Sequence, residues 1–100
     1  MNVKDKVIMI TGAGGGLGSE MARVLSRQGA KVWLLDLDAE KGQAAADGIR
    51  AAGGEAWFLK MDVTVEEDWQ NAVQTAVETC GKLDVLVNNA GINIRKPVEE

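Results

Sequence analysis

The chain has 100 residues, 46% of them apolar, with 11 Lys and Arg against 15 Asp and Glu for a formal net charge of −4, and it contains no His, no Tyr and one Cys. That length suits one small domain or part of a larger one, burying about 65% of its unfolded surface and holding little stability in reserve. The acidic balance argues against a nucleic-acid partner, and without His no Ser-His or Cys-His nucleophile can form and no metal site is expected. Cys80 has no partner for an internal disulfide, and neither a leader segment nor an apolar run of about 20 residues is visible, so no membrane partner and a cytoplasmic location are expected.

In chain order, Val7 to Ile10 reads as a buried strand and Thr11 to Gly18 as a turn. From Leu17 a helical period runs through Met21, Val24, Leu25 and Gln28 until Gly29 stops it. Lys31 to Leu37 is a second strand, and Asp38 is placed to cap a second helix reaching Ala52. Gly42 and Gly48 each cost that helix about 1 kcal/mol relative to Ala. Gly53-Gly54 ends it, and Ala56 to Met61 is a third strand. Thr64-Val65-Glu66-Glu67 reads as a capping box for a third helix whose inner face is Trp69, Ala72, Val73, Ala76, Val77 and Cys80, with Gly81 as its stop. Val85 to Val87 is a fourth strand leading into Asn88-Asn89-Ala90-Gly91. The alternation predicts an α/β fold of βαβ units. Trp33 and Trp57 on strands and Trp69 on a helix face are expected in packing rather than at a ligand.

The chemistry concentrates after strand ends. In Thr11-Gly12-Ala13-Gly14-Gly15-Gly16-Leu17-Gly18, Gly12 permits a tight strand exit, Gly16 lets a diphosphate approach the backbone, and Gly18 lets the helix lie close to the sheet. The helix that follows presents amides and the positive end of its dipole. Asp36, at the end of the second strand, can accept hydrogen bonds from both hydroxyls of an adenosine ribose, or serve as a loop or capping residue. Asp62-Val63, after the third strand, can offer a side chain to an adenine edge and an apolar wall to its face, or Asp62 can stabilise the turn into the third helix.

These motifs together, Thr-Gly-x-x-x-Gly-x-Gly at 11–18, Asp36, Asp62-Val63 and Asn-Asn-Ala-Gly at 88–91, resemble the short-chain dehydrogenase/reductase family from Val3 to Gly91. The resemblance implies a Rossmann-like, doubly wound parallel sheet with strand order 3-2-1-4, cut short after the fourth strand, so that residues 1–100 form a partial NAD(P)-binding domain. It implies that Gly12, Ala13, Gly14, Gly15, Gly16, Leu17 and Gly18 form the diphosphate turn and that Asp36 holds the adenosine ribose. Asp62 and Val63 would meet the adenine, and Asn89, Ala90 and Gly91 would line the other ribose, with Asn88 a structural residue bonding between strands. The implied cofactor is NAD rather than NADP, because Asp36 would face the 2′-phosphate while Gly15 and Leu37 stand where a basic residue would compensate. Arg95-Lys96 is similar to a stretch in sugar-acid (gluconate-type) members, although a solvated basic pair is the plainer reading.

The departure from the family is equally specific. Its members work through a Tyr-x-x-x-Lys pair and a Ser, whereas this chain has no Tyr, and Ser19 and Ser26 both fall in the first helix. No catalytic residue is therefore assigned, and the chain reads as the amino-terminal, cofactor-binding part of an enzyme interconverting alcohol and carbonyl, whose intact relatives are homo-oligomers. The alternatives are a non-catalytic nucleotide-binding module and a remnant without function. Val85, Leu86 and Val87 are expected to form an apolar edge that favours self-association.

Overall fold

The structure, a computed structural model, describes residues 2–89, and within them strands and helices alternate strictly. In order they are β1 (Val7–Thr11), α1 (Gly16–Arg27), β2 (Lys31–Asp36), α2 (Ala39–Ala51), β3 (Glu55–Lys60), α3 (Glu66–Cys80) and β4 (Val85–Val87). Parallel neighbours need a crossover, and each helix supplies one. The sheet is parallel throughout with order β3-β2-β1-β4, as expected from the sequence.

Both faces of the central strands are covered, which is why they read as continuous apolar runs rather than alternating ones. On one face, Ile8 and Ile10 of β1 and Val32 and Leu34 of β2 pack with Ala22 of α1 and with Ala46 and Ile49 of α2. On the other, Val7, Met9, Trp33 and Leu35 pack with Ala72 and Ala76 of α3. Trp33 and Trp57 face each other across β2 and β3 with ring centroids 4.8 Å apart and planes 10° from parallel. The Trp33 indole N–H points to Cys80 Sγ at 3.4 Å, so all three tryptophans serve packing, with Trp69 joining the same α3-side cluster.

Several local expectations are corrected. β2 ends at Asp36, and Leu37 is 59% exposed, because Asp36 turns the chain by accepting the Asp38 amide. The capping box does not form. Asp62 takes the Thr64 hydroxyl and amide instead, at 2.6 and 2.9 Å, leaving Val65 as an N-cap with no side-chain bond. The inner face of α3 is narrower than its apolar stripe: Ala72 and Ala76 are buried, while Val73 and Val77 remain 36% and 40% exposed. Small residues bring that helix close to the sheet, and the valines are rotated away from the contact. Asp38 does cap α2, accepting from the Lys41 amide at 3.0 Å. Gly42 is more than a propensity cost, since a Cβ there would stand 2.0 Å from the Phe58 ring.

Candidate functional site

In a parallel sheet all strands end at the same edge, so the four strand-end motifs are brought together by topology alone. Gly12 leaves β1 with φ 65° and Gly16 opens α1 with φ 52°, both in the left-handed region that favours glycine. The Ala13 amide continues the β1–β2 ladder by donating to the Leu35 carbonyl at 3.1 Å. Gly18 is in tight contact: a Cβ there would lie 2.3 Å from the Gly12 carbonyl oxygen, so only glycine lets α1 lie against the turn. By contrast a Cβ at Gly15 or Gly16 would meet nothing within 4 Å, which leaves open space above the turn. The N-cap Gly15 makes no side-chain capping bond and the first turn of α1 carries no acidic residue. Amides and dipole there are offered outward, the donor set an anion requires.

Asp36 stands beside this turn. Its Oδ2 accepts the Gly14 amide at 2.8 Å and its Oδ1 accepts the Asp38 amide at 2.8 Å. Each carboxylate oxygen keeps a lone pair, so the group can still accept two hydroxyls. A cavity of about 110 Å³ is lined by Gly12, Asp36, Leu37, Met61 and Val63. Gly12, Asp36 and Val63 thus meet around one space. Met61 was not singled out from the sequence, and Leu37 was noted there only as standing where a basic residue would compensate a 2′-phosphate, not as lining a cavity. The available signals were their positions, Leu37 directly after the acidic residue and Met61 directly before Asp62-Val63.

Asp62 is engaged differently. Its carboxylate is taken up by Thr64, whose hydroxyl and amide hold the carboxyl below the usual carboxylate range, and its own amide donates to Asp68 Oδ2 at 3.0 Å. The Val63 carbonyl accepts the Trp69 indole N–H at 2.8 Å. These bonds fix the turn, and of the pair it is Val63 that lines the cavity.

At the end of β4 the two asparagines hold the site from its other side. Asn88 Oδ1 accepts the hydroxyl of the buried Thr11 at 3.1 Å, bonding across neighbouring strands. Asn89 Nδ2 donates to the Gly12 carbonyl at 3.2 Å, pinning the strand exit. Ala90 and Gly91, together with Arg95 and Lys96, lie outside the described residues. Gly14 also borders a second cleft of about 420 Å³ between α1 and α2, which includes Arg23 and Lys41. Among the described residues no group of three or more His, Cys, Asp or Glu is placed to hold a metal ion, and no helix is long and apolar enough to cross a membrane.

Comparison with known proteins gives this geometry a context. A family model described as short chain dehydrogenase matches residues 6–100. Cyclopentanol dehydrogenase of Comamonas testosteroni is 46% identical over 98 residues, covering 98% of this chain and 39% of that protein. Among solved structures, hydroxysteroid dehydrogenase from Escherichia coli aligns with a TM-score of 0.88 and 35% identity over 99% of this chain and 42% of the other. A short chain dehydrogenase/reductase from Burkholderia phymatum in complex with NAD aligns with a TM-score of 0.83 and 34% identity over 86% of this chain and 31% of the other. The chain spans well under half the length of these relatives.

Proposed function

The chain belongs to the short-chain dehydrogenase family, and on that premise we propose that it is the cofactor-binding portion of an oxidoreductase that interconverts an alcohol and a carbonyl, with NAD preferred over NADP. The observation that carries this reading is the fixed Asp36 carboxylate, held by two backbone amides beside an uncapped, glycine-lined helix start. A dinucleotide laid along this edge would place its diphosphate over the Gly14 to Leu17 backbone and its adenosine ribose on Asp36. Its adenine would rest against Val63 and Met61 in the cavity, with Asp62 at the rim. Asn89, with Ala90 and Gly91, would border the other ribose. When bound, the nicotinamide supplies the hydride-transfer chemistry.

The residues of the chain bind and orient. Asp36 accepts from the ribose hydroxyls and repels a 2′-phosphate: like charges about 4 Å apart cost up to about 4 kcal/mol at an effective dielectric near 20. The NAD complex of the Burkholderia phymatum relative supports the same choice. Proton transfer at the substrate oxygen must come from elsewhere, since the chain has no Tyr and both serines, Ser19 and Ser26, sit on α1. We assign that step, the substrate pocket and the contacts between subunits of a homo-oligomer to the remainder of a full-length enzyme working in the cytoplasm. Steady-state kinetics of the full-length protein test the reading. Higher kcat/KM with NAD, shifting toward NADP in Asp36→Ser, is expected, and equal or better efficiency with NADP in the unaltered protein would overturn it.

A further inference from the structure

We propose that Asp68 and Trp69, neighbours in the first turns of α3, are positioning residues that hold the Asp62-Val63 segment as a wall for the adenine of the dinucleotide. The proposal rests on the placement of the adenine given above. β3 is an edge strand of the sheet, and its ladder to β2 closes with the Met61 amide donating to the Asp36 carbonyl at 3.0 Å. The next two residues leave the sheet, yet Val63 lines the cavity that Asp36 borders.

α3 supplies the hold that the sheet does not. The Asp62 amide donates to Asp68 Oδ2 at 3.0 Å, and the Val63 carbonyl accepts the Trp69 indole N–H at 2.8 Å. The pair is thus gripped at its leading N–H and its trailing C=O, which limits rotation of the peptide between them and sets where the Val63 side chain points. Glu66 and Glu67 at the start of the helix are exposed, whereas Asp68 and Trp69 are half-buried against the strand end. Neither bond is a helix cap. A capping side chain accepts from amides of the first turn, while these two bonds reach residues three and two places before the N-cap Val65.

The test measures dissociation constants of NAD and AMP for the full-length enzyme by calorimetry, in the unaltered protein and in Trp69→Phe, Asp68→Ala and Asp68→Asn. The thermal midpoint of each protein without ligand is recorded alongside. AMP carries only the adenosine end, so it isolates this part of the site. Trp69→Phe deletes the N–H and keeps a ring in the α3-side cluster, and Asp68→Ala deletes the acceptor. Each is expected to weaken NAD and AMP by the same factor, roughly three- to tenfold, the loss of one hydrogen bond. Asp68→Asn keeps an acceptor oxygen without the charge and is expected to bind both ligands as the unaltered enzyme does. A lowered midpoint with unchanged constants would show that the two bonds only stabilise α3. NAD weakened without AMP would place the effect elsewhere in the site, and equal losses in Asp68→Asn and Asp68→Ala would make charge the cause; any of the three overturns the proposal. Should Trp69→Phe not fold, the two Asp68 variants decide. If AMP does not compete with NAD in the unaltered enzyme, the placement of the adenine itself fails and the proposal with it.

Discussion

The strands β1 and β2 and the strand β4 belong to one sheet but are held in place by different forces. Every residue of β1 is buried, and β2 is buried through its four central positions, because helices cover both faces. In β4, Val85 and Leu86 remain 38% and 46% exposed, and among the described residues the strand pairs only with β1, over three positions. Beyond that ladder and the packing of Val87 on the core, its side-chain attachment is polar and sits at its ends. Before it, Asp84 Oδ2 accepts the Val7 amide at 2.8 Å and the Asp84 amide donates to the Val7 carbonyl at 2.9 Å; after it, Asn88 meets Thr11 and Asn89 meets Gly12. The central strands are thus fixed by burial, which is cooperative and indifferent to pH. The edge strand is fixed by a few directional bonds, two of which also shape the candidate site. Loosening β4 should therefore be felt at the glycine turn before it is felt in the core.

The largest effect that separates the two regions is a truncation on each. Trp33→Ala removes a buried ring that stacks on Trp57 and is expected to cost about 3–5 kcal/mol, enough to unfold a domain of this size. Leu86→Ala, on the half-exposed edge, is expected to change stability by less than about 1 kcal/mol and to reduce self-association. Urea denaturation gives both costs, followed by tryptophan fluorescence for Leu86→Ala and by far-UV dichroism for Trp33→Ala. Comparable losses would mean that β4 is as deeply anchored as β2. A second pair of substitutions sharpens the same contrast within one helix. Gly42→Ala forces a methyl into the Phe58 ring and is expected to cost about 1–3 kcal/mol. Gly48→Ala, where a Cβ meets nothing, is expected to raise stability by about 0.5–1 kcal/mol. The opposite signs in thermal denaturation are the check.

How far these features were legible beforehand follows from the range over which each is decided. The alternation of elements was readable because each helix ends near a glycine and each strand is a short apolar run, both local signals, whereas the strand order came from the family resemblance. Asp36 and the glycine turn were readable because their spacing in a βαβ unit is fixed by the fold. The contact between Gly42 and Phe58 was not, since it joins α2 to the following strand and looks in sequence like a mere helix defect. The capping box misled because it needs the Thr64 amide to donate to the Glu67 side chain, and the Asp62 carboxylate, two residues back, takes that amide together with the hydroxyl. Val73 and Val77 share the helical period of Ala72 and Ala76, and periodicity does not say which margin of a wide apolar stripe touches the sheet. The pairing of Gly14 with Asp36 spans two strand ends, and no local pattern encodes it.

A smaller effect tests whether β4 and the site are coupled. Thr11→Val keeps the shape of a buried residue but deletes the hydroxyl that reaches Asn88 Oδ1, and it is expected to cost about 1–2 kcal/mol. Amide exchange resolves where the loss falls. Exchange should quicken in Val85 to Val87 and at the Gly12 turn while the β2 amides keep their protection. A uniform increase across the sheet would show that Thr11 belongs to the core and not to the edge attachment.

The smallest expected effect is a pH dependence confined to the edge. Asp84 lies below the usual carboxylate range because the Val7 amide donates to it and the Lys82 ammonium stands 3.1 Å from the same oxygen. A carboxyl whose folded value is depressed binds fewer protons when folded than when unfolded, so it contributes stability above its unfolded value and loses it as the pH falls through the folded one. The attachment of β4 should therefore be intact at neutral pH and weaken only in acid, below the ordinary carboxylate range. Asp84→Asn, which can still accept the Val7 amide but cannot ionise, should flatten the acid limb of the thermal midpoint against pH and lower the neutral plateau slightly. Asp62, depressed by Thr64 in the turn between β3 and α3, gives a control of the same sign outside both regions. Acid-induced quickening of β4 amide exchange should vanish in Asp84→Asn and persist in Asp62→Asn; if Asp62→Asn abolishes it as well, the edge and the β3–α3 turn respond to acid as one unit and the division drawn between the two regions does not hold.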